Sequence, residues 1–94
     1  MSRVTVRIPT PLRGFAGGRS EIAADGADVG AVMSAIGADH PELLERVVKD
    51  DGQPREFVNI YLGSDNVRTL DGMNTPVGEG DVLSILPAVA GGAA

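Results

Sequence analysis

The sequence predicts an α+β fold in which one mixed sheet packs against one main helix. Strand patterns stand at both ends of the chain, because it opens with an alternating apolar–polar run and closes with an apolar run at 82–86. A single long helical pattern lies between them, at 29–36. The chain has 94 residues, of which 43% are hydrophobic. This size and composition suit one globular domain with one modest core.

The first two elements are predicted to be strands that form a hairpin. Val4, Val6 and Ile8 alternate with polar residues, which is the period of a half-buried strand. Prolines end this strand, the glycine-rich stretch 12–18 forms a turn region, 20–24 returns as the second strand, and Asp25-Gly26 supplies the following turn. The glycine spacing matches neither a P-loop nor a dinucleotide-binding fingerprint, so a hairpin loop is the better interpretation.

Two helices are predicted in the middle of the chain. Asp28 is a suitable N-cap for the first. The apolar residues after it fall at i, i+3, i+4 and i+7, on one helical face: Val29, Val32, Met33 and Ile36. Pro41 begins a second, short helix. The chain has one histidine, His40, and no cysteine, so the partners of a metal site or a nucleophile–base pair are missing.

Three further strands are predicted in the second half. The strongest β pattern covers 57–62, and a turn leads from it to a short strand at 67–70. The last strand, 82–86, directs Leu83 and Ile85 to one face. The first and last strands, far apart in sequence, are expected to pair at the centre of the sheet. The natural assembly of these elements is a β-grasp (ubiquitin-like) roll, although periodicity alone establishes only the α+β class.

Composition also limits the partners and the compartment. The net charge of −5 argues against nucleic acid, which requires a basic surface. The absence of cysteine excludes disulfides and is compatible with a reducing cytosol. The first residues lack the apolar run of a signal peptide, and no stretch is long enough to span a bilayer. We therefore expect a cytoplasmic protein with no membrane partner, monomeric when alone.

The end of the chain is the part from which function can be inferred. After Pro87 it holds only small residues, one valine and the adjacent glycines Gly91 and Gly92, so only a backbone carboxylate could react there. Six extended residues span about 20 Å, enough to enter another protein's active site. We predict a β-grasp domain at 1–87 and a flexible tail at 88–94. The predicted partner-binding segment is Pro87, Ala88, Val89, Ala90 and Gly91.

A docking surface should accompany this tail. If the aliphatic residues of the third and last strands face the helix, then Phe57, Tyr61 and Leu86 point outward and can contact a partner. Arg7 and Arg68 are candidates for its polar rim. The alternative is that local loops cover Phe57 and Tyr61.

One run resembles a known family signature. The stretch G-D-V-L-S-I-L-P-A-V-A-G-G, at 80–92, resembles the C-terminal signature of the ThiS/MoaD/CysO ubiquitin-like sulfur carriers. The likeness spans nearly the whole chain and is closest to the CysO branch. The segments that support that branch are F-V-N-I-Y-L at 57–62, D-N-V-R at 65–68, Gly17-Gly18, His40-Pro41-Glu42-Leu43 and Thr75-Pro76.

The resemblance implies a carrier cycle rather than an enzyme. An E1-like adenylating enzyme would use ATP and Mg to join the carboxylate of Gly92 to AMP, and sulfur would then replace AMP to give a thiocarboxylate. The acceptor in the CysO branch is a PLP-dependent cysteine synthase. The chain itself would bind no cofactor and no metal.

One departure from the family pattern is that Ala93 follows Gly92. The resemblance implies that a JAMM-type zinc metalloprotease cleaves the Gly92–Ala93 bond. Ala93-Ala94 could instead be a remnant of cloning or mark an inactive relative. Three other functions stay open: a non-conjugating β-grasp interaction module, a MoaD-like small subunit of molybdopterin synthase, and a small enzyme in its own right.

Overall fold

The computed structural model describes residues 2–87, in which helices pack on one face of a five-stranded sheet. The strands are β1 Ser2–Arg7, β2 Glu21–Gly26, β3 Val58–Leu62, β4 Asp65–Asn66 and β5 Val82–Pro87. The α-helices are α1 Val29–Asp39 and α2 Pro41–Val47, and short 3-10 helices cover Thr10–Phe15, Val67–Thr69 and Gly72–Asn74. Within residues 2–87, none of these helices has the length and apolar content that crossing a membrane requires.

The sheet is mixed, with the first and last strands side by side at its centre. Its strand order is β2-β1-β5-β3-β4. β1 and β5 run parallel, with pairs from Thr5–Val82 to Arg7–Ser84, and the other neighbouring strands are antiparallel. The predicted α+β class, the hairpin of the first two strands and the β-grasp arrangement are therefore confirmed.

The core lies between the inner face of the sheet and the helices. Because side chains alternate along a strand, β1 directs Val4 and Val6 inward while β5 directs Leu83 and Ile85 inward, and none of the four is more than 1% exposed. The predicted helical face of α1 is buried, with Val29, Val32, Met33 and Ile36, and α2 buries Leu43 and Val47.

The ends of α1 lie where the sequence predicts them. The Asp28 carboxylate accepts a hydrogen bond of 2.8 Å from the Ala31 N–H, which confirms the N-cap. At the other end, the His40 N–H donates to the Ile36 carbonyl at 2.8 Å, and Pro41 begins α2. Proline suits the first position of a helix, where its missing N–H breaks no hydrogen bond.

Two predicted boundaries are wrong. The short strand expected at 67–70 is β4, at Asp65–Asn66, and Val67–Thr69 is a 3-10 helix. The reason is local, because the Asn66 side chain accepts a hydrogen bond of 3.0 Å from the Arg68 N–H and so turns the chain. The turn expected at 25–26 is instead the end of β2, where Gly26 pairs with Ser2.

Gly26 brings the end of β2 into close contact with α1. An added Cβ at this position would lie 2.7 Å from the backbone nitrogen of Val32 and 2.8 Å from its Cγ2. Backbone cannot move aside as a flexible side chain can, so the contact requires glycine.

We expect Gly26→Ala to lower the free energy of unfolding by about 1–3 kcal/mol, because the methyl group overpacks this contact. Urea unfolding measures the change. Gly14→Ala is the matched control, since an added Cβ there meets nothing within 4 Å. It should leave stability unchanged or raise it by up to about 1 kcal/mol. Equal stability of the two variants would contradict the close contact.

Candidate functional site at the end of the last strand

The end of β5 is held by one neighbouring strand only. β5 pairs with β3 as far as Pro87, which lies opposite Val58, whereas its pairing with β1 stops at Ser84, opposite Arg7. The last three residues of β5 therefore keep a backbone edge that faces away from β3 and is not paired with β1. β5 ends at Pro87, where it is paired with β3 only, and the predicted tail follows in the sequence.

Prolines explain why the pairing with β1 stops. The Thr5 N–H donates to the Asp81 carbonyl at 3.0 Å, and the donors of a parallel ladder recur at every second residue. The donor needed for the Ile85 carbonyl would therefore be residue 9, which is Pro9 and has no N–H. Pro87 likewise supplies no N–H to this edge. The pairing of β5 with β1 therefore ends where the sequence places prolines, which have no N–H to donate.

The three predicted docking residues lie near this strand end. Leu86 is 47% exposed and pairs with Asn59 on β3. Tyr61, half-buried, pairs with Ser84, so its side chain shares the outer face of the sheet with Leu86. Phe57 directly precedes β3 and is 59% exposed. The three residues thus lie on or directly beside the paired strands β3 and β5, and their role in partner binding stays a prediction.

The remaining predicted site residues belong to the tail. Pro87 is the last residue of β5. The predicted partner-binding residues Ala88, Val89, Ala90 and Gly91, the carrier residue Gly92 and the cleavage-site residue Ala93 lie outside the described residues. The predicted division into a domain at 1–87 and a tail at 88–94 therefore stays a prediction as well.

Arg68 clamps the turn that presents Phe57. That turn is closed by a hydrogen bond of 3.0 Å from the Val58 N–H to the Arg55 carbonyl. The Arg68 Nη2 donates to the Arg55 carbonyl at 2.8 Å and to the Val58 carbonyl at 2.7 Å. Charge-assisted hydrogen bonds of this kind are stronger than neutral ones. The guanidinium therefore holds both ends of the turn.

No pattern in the sequence predicts this clamp, and Arg68 is predicted there only as a candidate for the polar rim. The contacts join residues that are 10 and 13 positions apart, and no periodicity encodes them. The only local signal is Asn66, whose side chain turns the chain at Arg68 and so directs it back toward β3. Arg7, the other rim candidate, lies 3.6 Å from Glu21 in an exposed ion pair.

The described residues contain no cluster of acidic or histidine side chains of the kind that holds a metal ion. The site is instead an outward-facing apolar surface at the end of a central strand. Together with the strand order and the packed helices, it defines a ubiquitin-like β-grasp domain with an exposed apolar surface at the end of the last strand.

The chain belongs to the ThiS family, whose model matches residues 6–92. It is 43% identical over 91 residues to the sulfur carrier protein CysO of Mycobacterium tuberculosis, covering 95% of this chain and 98% of that protein. It is 34% identical over 89 residues to a putative sulfur carrier protein of Archaeoglobus fulgidus, covering 95% and 98%. The family resemblance noted in the sequence is confirmed.

Solved structures agree with this assignment. The crystal structure of Mycobacterium tuberculosis CysO matches with a TM-score of 0.86 at 41% identity, covering 92% of this chain and 99% of that one. A chain of the Amycolatopsis orientalis BexX/CysO complex matches with a TM-score of 0.87 at 40% identity, covering 94% and 98%. The β-grasp fold is thus shared over nearly the whole length.

We expect Arg68→Ala to lower the free energy of unfolding by about 1–2 kcal/mol, because two carbonyls lose a charged donor near solvent. In Arg68→Ala, the hydrogen exchange of the Val58 amide, which closes the turn, should become faster by a larger factor than that of the β1 amides. Arg19→Ala is the control, since no side-chain hydrogen bond of Arg19 is found within residues 2–87. It should change stability by less than about 0.5 kcal/mol. Unchanged protection at Val58 in Arg68→Ala would contradict the clamp.

Proposed function

We propose that this protein is a sulfur carrier and that Gly92 holds the sulfur as a terminal thiocarboxylate. The observation that carries the proposal is that the ThiS family match extends through residue 92 and so includes both glycines. β5 ends at Pro87, five residues earlier, and five extended residues reach about 17 Å. The relatives named sulfur carrier proteins support the same role.

The chemistry requires a partner enzyme. A carboxylate is a poor electrophile until one of its oxygens becomes part of a good leaving group. An E1-like enzyme supplies ATP and Mg. The Gly92 carboxylate attacks the α-phosphate, pyrophosphate leaves, and an acyl adenylate forms. A sulfide equivalent then attacks the acyl carbon and AMP leaves, which gives the thiocarboxylate.

The carrier is therefore a co-substrate of other enzymes and not an enzyme itself. The acceptor that we propose is a synthase making cysteine or another sulfur-containing metabolite, with a PLP-dependent cysteine synthase as the first candidate. The folded domain contributes recognition, and the partners supply the electrostatic stabilisation of the reacting groups. We place the cycle in the cytoplasm, where ATP is available.

Removal of Ala93-Ala94 must come first. In the printed sequence the Gly92 carbonyl forms a peptide bond with Ala93 and has no free carboxylate. We propose that a JAMM-type zinc metalloprotease hydrolyses this bond: water adds to the Gly92 carbonyl and the amine of Ala93 leaves. Small residues on both sides of the bond leave room for the walls of a narrow active site.

We expect the chain cleaved after Gly92 to gain the mass of one oxygen-to-sulfur exchange when it is incubated with an E1-like enzyme, ATP, Mg and a sulfide source. Intact-protein mass spectrometry measures the exchange. The uncleaved chain is the control and should keep its mass, because its Gly92 has no free carboxylate. If no candidate enzyme modifies the cleaved chain, the sulfur-carrier proposal fails and a non-conjugating interaction module is favoured.

We also expect Leu86→Asp to weaken binding of the cleaved chain to the E1-like enzyme by at least about tenfold, because it places a charge in an apolar contact. Isothermal titration calorimetry measures the dissociation constant. Leu70→Asp is the matched control, since Leu70 is 44% exposed, close to the 47% of Leu86, and is not on β5. It should change the constant by less than about twofold. Equal effects would remove Leu86 from the docking surface.

A further inference from the structure

A groove of about 250 Å³ lies where the tail begins, between the end of β1 and the end of β5. It exists because Pro9 ends the β1 ladder while β5 continues to Pro87, so the two strands part there. Its lining is Arg7, Ile8, Pro9, Arg13, Ser84, Ile85 and Leu86. Among the described residues, the lining includes two guanidinium groups and no carboxylate.

Arg13 is fixed by the backbone and leaves part of its donor set free. It is half-buried, and its Nε donates to the Ile8 carbonyl at 3.0 Å. Within residues 2–87, its Nη groups contact no hydrogen-bond acceptor. A guanidinium carries five N–H donors in a planar fork, so those of its Nη groups are available to a ligand.

Arg7 is the second charge, and its existing partner is weak. Its Nε lies 3.6 Å from Glu21, and the two side chains are 63% and 55% exposed. Exposed ion pairs of this kind contribute little and exchange readily with solvent or with another acid. Arg7 can therefore turn to a carboxylate that arrives from a partner.

We propose that this groove binds an acidic side chain on the surface of the activating enzyme, with Leu86 beside it as the apolar contact. The inference rests on the sulfur-carrier proposal for the identity of the partner. The chain as a whole carries a net charge of −5, whereas the groove carries the two positive groups of Arg7 and Arg13. A carboxylate of the partner is therefore attracted to the groove and not to the chain as a whole. The two arginines and the small volume of the groove suit a single carboxylate. The acidic remainder of the chain would repel an extended polyanion.

The location gives the groove a defined role. Leu86 lines it and directly precedes Pro87, the last residue of the sheet. An enzyme that holds Gly92 in its active site must lie over the root of the tail, and a carboxylate in the groove would fix the direction in which the tail leaves. The groove therefore aligns the complex, while the apolar surface supplies contact area.

A partner-free experiment tests the ligand chemistry. The full chain, labelled with 15N, is titrated with a capped Leu-Glu-Leu tripeptide and, as the control ligand, with capped Leu-Gln-Leu. We expect the side-chain Nε–Hε signals of Arg7 and Arg13 to shift with the acidic peptide only, while that of Arg3, which pairs with Asp25 on the same face of β1, stays in place. Equal shifts with both peptides, or at Arg3, would overturn the proposal.

The enzyme experiment tests the partner. Arg7→Gln/Arg13→Gln in the cleaved chain should raise the half-saturating concentration for adenylation by about tenfold at low salt, with the rate at saturation unchanged. The difference should shrink between about 0.01 M and about 1 M salt, as the Debye length falls from about 30 Å to about 3 Å. Arg3→Gln/Lys49→Gln removes the same charge away from the groove and should stay within about twofold.

The outcomes separate the two proposals. Equal effects of the two double variants would show that only net charge matters and would overturn the groove assignment. If the cleaved chain is adenylated by no enzyme while the acidic peptide still shifts Arg7 and Arg13, the sulfur-carrier proposal fails and the carboxylate preference of the groove stands. Thermal unfolding of each variant confirms that it is folded before the comparison is made.

Discussion

The parallel pairing of the first and last strands is the constraint on which the rest of this structure depends. It places β5 at the centre of the sheet, with β1 on one side and β3 on the other. It also buries Leu83 and Ile85, so the strand that leads to the tail is part of the core itself. The end of that strand is therefore continuous with buried residues of the core.

Two features give the end of β5 its chemical character. Pro9 stops the pairing with β1, which opens the groove, and strand alternation places Leu86 on the outer face of the sheet, where it is 47% exposed. On the other side, Arg68 donates to two backbone carbonyls and holds the turn that carries Phe57. A basic groove and an apolar contact thus flank the same strand end. Under the proposed function, recognition would rest on these packed elements and the reacting group would lie on the tail.

The sequence predicts most of the fold because its signals are periodic. The alternation of Val4, Val6 and Ile8 and the helical spacing of Val29, Val32 and Met33 report which side chains are buried, and burial decides the layers. The short β4 strand was misplaced because one Asn66 side-chain hydrogen bond outweighs a weak β pattern in the following residues.

The candidate site was predicted less completely, for a different physical reason. The tail is recognisable because its composition excludes every side-chain chemistry, and Leu86 follows from strand parity. The Arg68 clamp and the Arg13 groove arise from guanidinium groups that reach carbonyls in other segments. Such contacts depend on tertiary geometry, and the sequence positions of these arginines do not predict them.

The central position of β5 also has a mechanical consequence. An enzyme that draws the tail into a narrow active site pulls on Pro87 along the axis of the strand. In this direction the hydrogen bonds of the β1 and β3 ladders are loaded together, in shear, and the buried side chains Leu83 and Ile85 anchor β5 in the core. An edge strand would peel away one bond at a time. A central strand is therefore better suited than an edge strand to bear a pull on the end of the chain.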